Sequence, residues 1–155
     1  MGTGSHRTQL DDVAKAIIEQ LQEDGRRSYS AIGKAVGLSE AAVRQRVQKL
    51  VDSGVMQVVA VTDPLELGFA RQAMIGVRVT GELESVADAL AEFPEVDYVV
   101  ITAGSYDILA EVVCESDAQL LELLSTRIRL IDGVVATETF VYLKLRKQTY
   151  SWGAR

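Results

Sequence analysis

Two short helical patterns, separated only by Gly37-Leu38-Ser39, constrain the fold of this chain more than any other feature. The first pattern covers residues 30–36, and the second begins at Ser39, whose hydroxyl can cap the free N–H groups of a new helix. The apolar residues of the second pattern form one stripe of a 3.6-residue period: Val43, Val47, Leu50 and Val51. Gly54 follows this stripe, where a left-handed residue commonly ends a helix. The stretch therefore predicts a helix-turn-helix.

The face of the second helix that lies away from its apolar stripe is polar and basic. The second helix of a helix-turn-helix can enter a DNA major groove, which makes this face the candidate DNA-binding surface: Ser39, Glu40, Ala41, Arg44, Gln45, Arg46, Gln48 and Lys49. From Arg26 to Lys49 there are six basic residues and one acidic residue, a local charge of +5 in a chain of net charge −6. This local excess favours binding to the phosphates of double-stranded DNA over the alternative, a solvated helical hairpin.

Composition excludes several classes of protein. The single cysteine, Cys114, excludes an intrachain disulfide and a multi-cysteine metal site. The single histidine, His6, lies in a segment, Met1–His6, that resembles an expression remnant or a loose tail. No apolar run approaches the roughly 20 residues that span a bilayer, and no secretory signal pattern is visible. We expect a cytoplasmic protein without a cofactor, a metal site or a membrane partner.

Charge and turn residues divide the chain into two domains. Residues 1–62 carry eight Lys/Arg and seven Asp/Glu, whereas residues 63–155 carry eight Lys/Arg and fifteen Asp/Glu. The acidic part would be repelled by nucleic acid and should have another role. Asp63-Pro64 through Gly68 interrupts the periodic pattern. We predict a winged helix-turn-helix domain over residues 8–62, a linker over 63–70 and a second domain over 71–149.

The first domain should contain three helices and a wing. Apolar periodicity predicts a helix from about Asp11 to Glu23, ended by Gly25, ahead of the two helices described above. The segment Val55–Thr62 is rich in β-branched residues, so we predict a strand there as the wing.

The second domain alternates strand and helix patterns in the order βαββαβ. The predicted strands are Ala73–Val79, Val96–Ala103, Ile108–Cys114 and Val134–Leu145, and the predicted helices are Leu83–Phe93 and Ala118–Ile131. This order is typical of the α+β ferredoxin-like fold, with an antiparallel sheet and both helices on one face. Both faces of the sheet are largely apolar, so the helix-free face should pack on a second subunit. The last strand is unusually long, which also favours contact with a partner chain.

These features together resemble the leucine-responsive and asparagine-synthase regulators of bacteria and archaea, the Lrp/AsnC family. The resemblance covers residues 10–145. Three motifs carry it: Gly37-Leu38-Ser39 with Val43, Arg46-Val47, Leu50 and Gly54-Val55; Gly104-Ser105-Tyr106-Asp107 before an apolar run; and Thr137-Glu138-Thr139 in the last strand. The resemblance implies a transcriptional regulator whose C-terminal module binds an amino acid or a similar effector between subunits. It also implies homodimers that assemble into octamers, as tetramers of dimers.

The residues of the second and third motifs are compatible with an effector site. Gly104 allows close approach of a ligand to the backbone, and successive N–H groups of the turn can bind a carboxylate. Asp107 can pair with an ammonium group, and the hydroxyls of Thr137 and Thr139 can complete the site. The candidate effector-binding residues are Gly104, Ser105, Tyr106, Asp107, Thr137 and Thr139. The alternative is an ordinary hairpin turn with ordinary strand threonines.

Two other functions compete with an effector-responsive regulator. One is a nucleoid-organising protein that binds DNA without an effector. The other is an enzyme, because some heme-pathway decarboxylases resemble this two-module architecture. Residues 63–155 contain no histidine, and the conceivable acid–base groups Tyr98, Tyr106 and Asp107 form no convincing catalytic pair. We therefore expect no catalytic residue and no enzyme activity.

Overall fold

The computed structural model describes residues 10–155, which fall into two compact units. One unit holds the described residues up to Val61 together with Lys147–Arg155, and the other spans Thr62–Arg146. In chain order the elements are α1 (Asp12–Glu23), α2 (Tyr29–Val36), α3 (Glu40–Asp52), β1 (Arg71–Val79), α4 (Leu83–Ala91), β2 (Val96–Ile101), β3 (Ile108–Cys114), α5 (Asp117–Glu122) and β4 (Val134–Val141). The predicted helix-turn-helix and the βαββαβ order are confirmed. The segment Met1–His6 lies outside the described residues.

The three N-terminal helices each begin at a side-chain cap. Asp11, Ser28 and Ser39 accept hydrogen bonds from the N–H groups of Ala14, Ala31 and Ala42, at 2.7, 3.2 and 3.2 Å. Each cap satisfies a donor that the first turn of a helix leaves free. Local sequence therefore sets where these helices start.

Two glycines shape the tight turn between α2 and α3. Gly37 ends α2 in the left-handed region, with φ of 73°, where a Cβ would be strained. Gly33 lies inside α2, and a Cβ at this position would overlap the carbonyl group of Leu38. Glycine usually weakens a helix, but here it lets the turn after α2 fold back against the helix.

Two apolar clusters hold the first unit together. One joins the three helices through Ile17, Ile32, Val43 and Val47. The other contains Ala14, Ile18 and Leu50, and Ala154 from the far end of the chain packs against it. The stripe predicted on α3 is thus buried at Val43, Val47 and Leu50, while Val51 at its edge is exposed.

The strand predicted over Val55–Thr62 is wrong for this chain. No part of this segment is a strand, and Val58, Val59 and Val61 are 56, 69 and 58% exposed. A strand is defined by hydrogen bonds to a neighbouring strand, and none of the described residues pairs with this segment. β-Branched composition favours an extended backbone but supplies no pairing partner.

The second unit is a four-stranded antiparallel sheet with its helices on one face. The strand order is β2-β3-β1-β4. On the helix face, Ala73, Ile75 and Val77 of β1 are completely buried. They pack with apolar residues of the other strands and of the helical segments: Val86, Leu90, Ile108, Val112, Cys114, Leu120, Leu123 and Ile128. This core fixes which side chains of each strand face away from the helices.

Several boundaries in the second unit differ from those that we predicted. The strand β4 ends at Val141 instead of Leu145, because Val141 lies opposite Ala73 near the start of its partner β1. The strand β2 ends at Ile101 instead of Ala103, and α4 ends at Ala91 instead of Phe93.

The helix predicted over Ala118–Ile131 is regular only in its first part. The α-helix α5 is followed by a π-helical turn, Leu123–Arg127, and a 3-10 turn, Ile128–Leu130. In the π-helical turn the hydroxyls of Ser125 and Thr126 donate to carbonyl groups four residues earlier. Such bonds compete with the regular pattern of an α-helix.

Candidate functional site

The helix α3 presents the predicted DNA-binding residues on the side opposite its buried stripe. Seven of the eight are exposed: Ser39, Glu40, Ala41, Arg44, Gln45, Gln48 and Lys49. Arg46 is the exception, because it is only partly exposed. The face is therefore continuous and accessible, as a helix that enters a major groove requires.

Several side chains on this face already have partners. Arg44 pairs with Glu40 at 3.0 Å and lies 5.2 Å from the centroid of the Tyr29 ring. Gln48 donates to Asp52 at 2.7 Å. Within residues 10–155, neither Gln45 nor Lys49 takes part in a side-chain hydrogen bond or an ion pair. These two side chains can therefore bind DNA without first breaking a bond within the chain.

Arg46 links α3 to the start of α1. Its guanidinium donates to both carboxylate oxygens of Asp11, at 3.0 and 2.8 Å. These bonds, followed in importance by the N–H of Ala14, hold the pKa of the Asp11 carboxyl below its usual 3.8. Arg46 thus positions α3 against α1, a role that the sequence pattern alone did not indicate.

The loop Gly104–Asp107 connects β2 to β3 and is anchored on the helix-free face of the sheet. The Tyr106 ring covers Gly76, where a Cβ would overlap it. The ring also meets Phe140 edge-on, with 6.1 Å between the centroids. Arg78 lies 5.7 Å from the centroid of the Tyr106 ring and donates to the carbonyl oxygen of Ser105 at 3.1 Å. The loop is therefore held by contacts with β1 and β4, in addition to the hydrogen bonds of a simple hairpin turn.

Asp107 has a structural partner at the end of β1. Its carboxylate accepts the backbone N–H of Val79 at 2.8 Å, next to an irregularity in the pairing of β1 with β4. Its own backbone N–H donates to the carbonyl of Val77 at 3.0 Å. A carboxylate has about four lone-pair sites on two oxygens, so this bond leaves capacity for an ammonium group.

Thr137 and Thr139 lie on the opposite face of the sheet from Tyr106. They pair with Val77 and Ile75 of β1, whose side chains point into the core beneath the helices. Residues directly opposite in an antiparallel pair share a face. Within one chain the structure therefore separates these threonines from the ring of the loop.

An open cavity of about 310 Å³ lies beside Thr137. Its lining comprises Arg129, Val134, Val135, Ala136 and Thr137. Arg129 Nε donates to Thr137 Oγ1 at 3.1 Å, and none of the ion pairs among residues 10–155 includes Arg129. Our sequence interpretation did not include Arg129. The sequence did contain a signal for this residue, because basic residues are rare in this part of the chain: residues 63–141 hold four Lys/Arg against fifteen Asp/Glu.

The described residues contain no cluster of three His, Cys, Asp or Glu side chains that could hold a metal ion. Among the same residues, no helix is both long and apolar enough to span a membrane.

Comparison with protein-family models matches both parts of the chain. An AsnC-type helix-turn-helix domain matches residues 10–51, and a C-terminal dimeric alpha+beta barrel domain of the AsnC regulators matches residues 69–155. The two matched regions correspond to the helices α1–α3 and to the sheet with its helices.

Similar proteins extend over nearly the whole chain. An HTH-type transcriptional regulator of Pyrococcus furiosus is 38% identical over 144 residues, which cover 92% of this chain and 97% of the relative. The HTH-type transcriptional regulator FL11 of Pyrococcus horikoshii is 37% identical, covering 92% of this chain and 95% of the relative.

Solved structures give the same result. E. coli AsnC superposes with a TM-score of 0.74 at 27% identity, covering 92% of this chain and 98% of that one. The Neisseria meningitidis regulator NMB0573, solved as a complex with L-Met, superposes with a TM-score of 0.76 at 25% identity, covering 92% and 95%. With both domains matched by sequence and by fold, this chain belongs to the Lrp/AsnC family of HTH-type transcriptional regulators.

Proposed function

We propose that this protein is a DNA-binding regulator whose assembly responds to an amino acid or a similar small effector. The observation that carries the effector part is Arg129, an exposed arginine hydrogen-bonded to Thr137 beside an open cavity. The L-Met complex of the neisserial relative supports the same class of ligand. We propose no catalytic role, since the similar proteins are transcriptional regulators.

In DNA binding, Gln45 and Lys49 take different roles. A glutamine can make two hydrogen bonds to the edge of an adenine in the major groove, whereas a lysine pairs with phosphate irrespective of sequence. Both side chains are exposed on α3. The protein thus reads bases through Gln45 and gains general affinity through Lys49.

This division of roles predicts different losses in two variants. Gln45→Ala should weaken binding to a selected site by about 1–3 kcal/mol while changing binding to unrelated DNA little. Lys49→Ala should weaken binding to both DNAs alike. Fluorescence anisotropy with a duplex selected from a random pool, and with an unrelated duplex of equal length, measures both effects. Equal losses on both duplexes for both variants would contradict the assignment.

In effector binding, we assign the carboxylate of the ligand to Arg129. The guanidinium presents five N–H donors, and its bond to Thr137 uses one of them. The ammonium group pairs with the Asp107 carboxylate of a neighbouring subunit, with Gly104–Asp107 of that subunit facing Thr137 and Thr139 of the first. A ligand placed between subunits changes an assembly when it binds one arrangement better than another.

Calorimetry against the twenty amino acids tests the effector site. At least one amino acid should bind the wild type, and Arg129→Gln should weaken that binding at least tenfold, or about 1.4 kcal/mol, since a charged partner is lost. Asp107→Asn should also weaken it. Arg71→Gln is the matched control, because this arginine of the same unit already pairs with Asp117. If no amino acid binds the wild type, the effector class is wrong, and a DNA organiser without an effector becomes the competing function.

We also propose that dimers assemble further, into octamers. Three exposed apolar side chains of the second unit support this proposal: Leu121, Leu130 and Val135 are 66, 73 and 61% exposed. Val135 also lines the cavity beside Thr137, so this one residue lies next to the proposed effector site. Light scattering of the full chain, with and without the amino acid that binds, measures the size of the assembly.

A further inference from the structure

The charge of the chain reverses abruptly after β4. Residues 63–141 carry four Lys/Arg and fifteen Asp/Glu, whereas residues 142–155 carry four Lys/Arg and no Asp/Glu. A basic stretch that follows a strongly acidic domain is suited to an anionic partner. The aromatic residues Tyr142, Tyr150 and Trp152 are interleaved with the basic ones.

The last nine residues, Lys147–Arg155, belong to the same compact unit as α1, α2 and α3, and we call them the C-terminal arm. The N–H of Gly153 donates to the side-chain carbonyl of Gln22 in α1 at 3.0 Å. Gly153 has a φ of 79°, a conformation that glycine adopts without strain. Ala154 then packs against the cluster of Ala14, Ile18 and Leu50. The end of the arm is thus seated on the DNA-binding unit.

The apolar cluster that Ala154 packs against lies next to the C-terminal half of α3. This cluster includes Leu50, which directly follows Lys49 in α3. A small cavity of about 110 Å³ shares Leu10, Ala14 and Leu50 with the seat of Ala154, and Arg46 and Lys49 also line it. Arg155, which follows Ala154, is exposed. The arm therefore adds exposed positive charge to the unit that carries α3.

We propose that the C-terminal arm is a second DNA-contacting element, which binds backbone phosphates beside the groove entered by α3. Lys147 and Arg155 supply the charge, and each neutralised phosphate releases counterions. Because the arm is already docked on the DNA-binding unit, little further ordering opposes its binding. Arms beside a recognition helix contact DNA in other folds as well.

A purely structural role is the competing explanation, because Ala154 also covers part of the core of the first unit. Two kinds of variant distinguish the two roles: one removes the basic side chains, and the other disrupts the apolar contact of Ala154. The basic side chains matter only if the arm meets an anion, whereas the contact of Ala154 matters for stability in either case.

The test is the salt dependence of DNA binding by the full chain. Lys147→Gln/Arg155→Gln removes two charges per chain and four per dimer. On both the selected and the unrelated duplex, affinity near 0.1 M KCl should fall about tenfold, and the slope of log K against log [KCl] should become shallower by about 0.9 for each lost contact. Thr149→Ala/Ser151→Ala, which changes neutral side chains in the same arm, should bind as the wild type does.

A second variant shows what the apolar contact of Ala154 contributes. Ala154→Asp places a charge against the apolar cluster, so it should lower both the unfolding temperature and the DNA affinity. The charge variant should keep the unfolding temperature of the wild type. If the charge variant binds both duplexes with the affinity and salt slope of the wild type, the arm does not contact DNA and the proposal is overturned. A loss of affinity without a change in slope overturns it too, because the lost interaction is then not with phosphate.

Discussion

At the scale of single residues, the pair of Arg46 and Asp11 links α3 to the start of α1, in addition to the apolar clusters between these helices. Asp11 has two functions, because its carboxylate caps α1 through the N–H of Ala14 and accepts both hydrogen bonds from Arg46. A base-reading helix is useful only if its backbone is held in a fixed position. This ion pair joins residues 35 positions apart in the chain, and Arg46 belongs to the candidate DNA-binding surface.

Asp11→Asn isolates the charge of this pair, because asparagine caps a helix about as well as aspartate. The folded-state pKa of Asp11 is lowered, so its contribution to stability is full above the unfolded pKa and is lost as the pH falls through the folded value. The variant should therefore unfold at a lower temperature than the wild type at pH 7. The difference should shrink at pH values below the usual pKa of 3.8. Calorimetric unfolding across this range is the measurement, and an unchanged difference at low pH would contradict the assignment.

At the scale of elements, β1 supports the loop between β2 and β3. Gly76 leaves room for the Tyr106 ring, and Val79 donates its N–H to Asp107. The central position of β1, between β3 and β4, thus connects the loop to the strand that carries Thr137. A shift of the loop on ligand binding would therefore displace β1, and with it the two strands that pair with β1.

Gly76→Ala should destabilise the second unit by roughly 1–3 kcal/mol, because the added methyl group forces the Tyr106 ring away from the sheet. In Tyr106→Ala the ring is absent, so adding Gly76→Ala to that variant should cost clearly less. The free energies of unfolding of the wild type, the two single variants and the double variant form a cycle that measures this coupling. Additive effects would mean that the ring does not pack on Gly76 in solution.

At the scale of the whole molecule, the helix-free face of the sheet is the surface that a second copy should cover. Tyr98, Phe140 and Tyr142 are 53, 45 and 37% exposed there. Burial, with a smaller contribution from the nearby Glu111, raises the pKa of Tyr142 to about 12. The matching family domain is dimeric, and apolar area of this kind in a soluble domain indicates an interface.

Phe140→Asp should dissociate the dimer, because it places a charge on this apolar face. DNA affinity should fall as well, since two linked DNA-binding units bind with a higher effective concentration than separate ones. Ser85→Asp, which adds the same charge on an exposed position of α4, is the matched control. Light scattering gives the mass of each variant. A dimer of unchanged stability in Phe140→Asp would place the interface elsewhere.

The sequence by itself determined those helices and strands that depend on interactions between residues close together in the chain. The caps Asp11, Ser28 and Ser39 act over three residues, and apolar periodicity within each segment predicted the buried stripe of α3 and the order βαββαβ. The exposure of the candidate DNA-binding face followed from the same periodicity. Such features depend on neighbours within one or two turns, so they can be read without knowing the rest of the fold.

Only the tertiary structure decided the features that join distant residues. The ion pair between Arg46 and Asp11 is one such feature. Another is the position of Thr137, which lies on the face of the sheet opposite Tyr106 and accepts a hydrogen bond from Arg129. The extent of β4 depended on where β1 begins, and no strand within residues 10–155 pairs with the segment Val55–Thr62. The C-terminal arm lies on α1 through a hydrogen bond between residues 131 positions apart. Periodicity contains no information about such partners, because contacts of this range are selected by the packing of the whole chain.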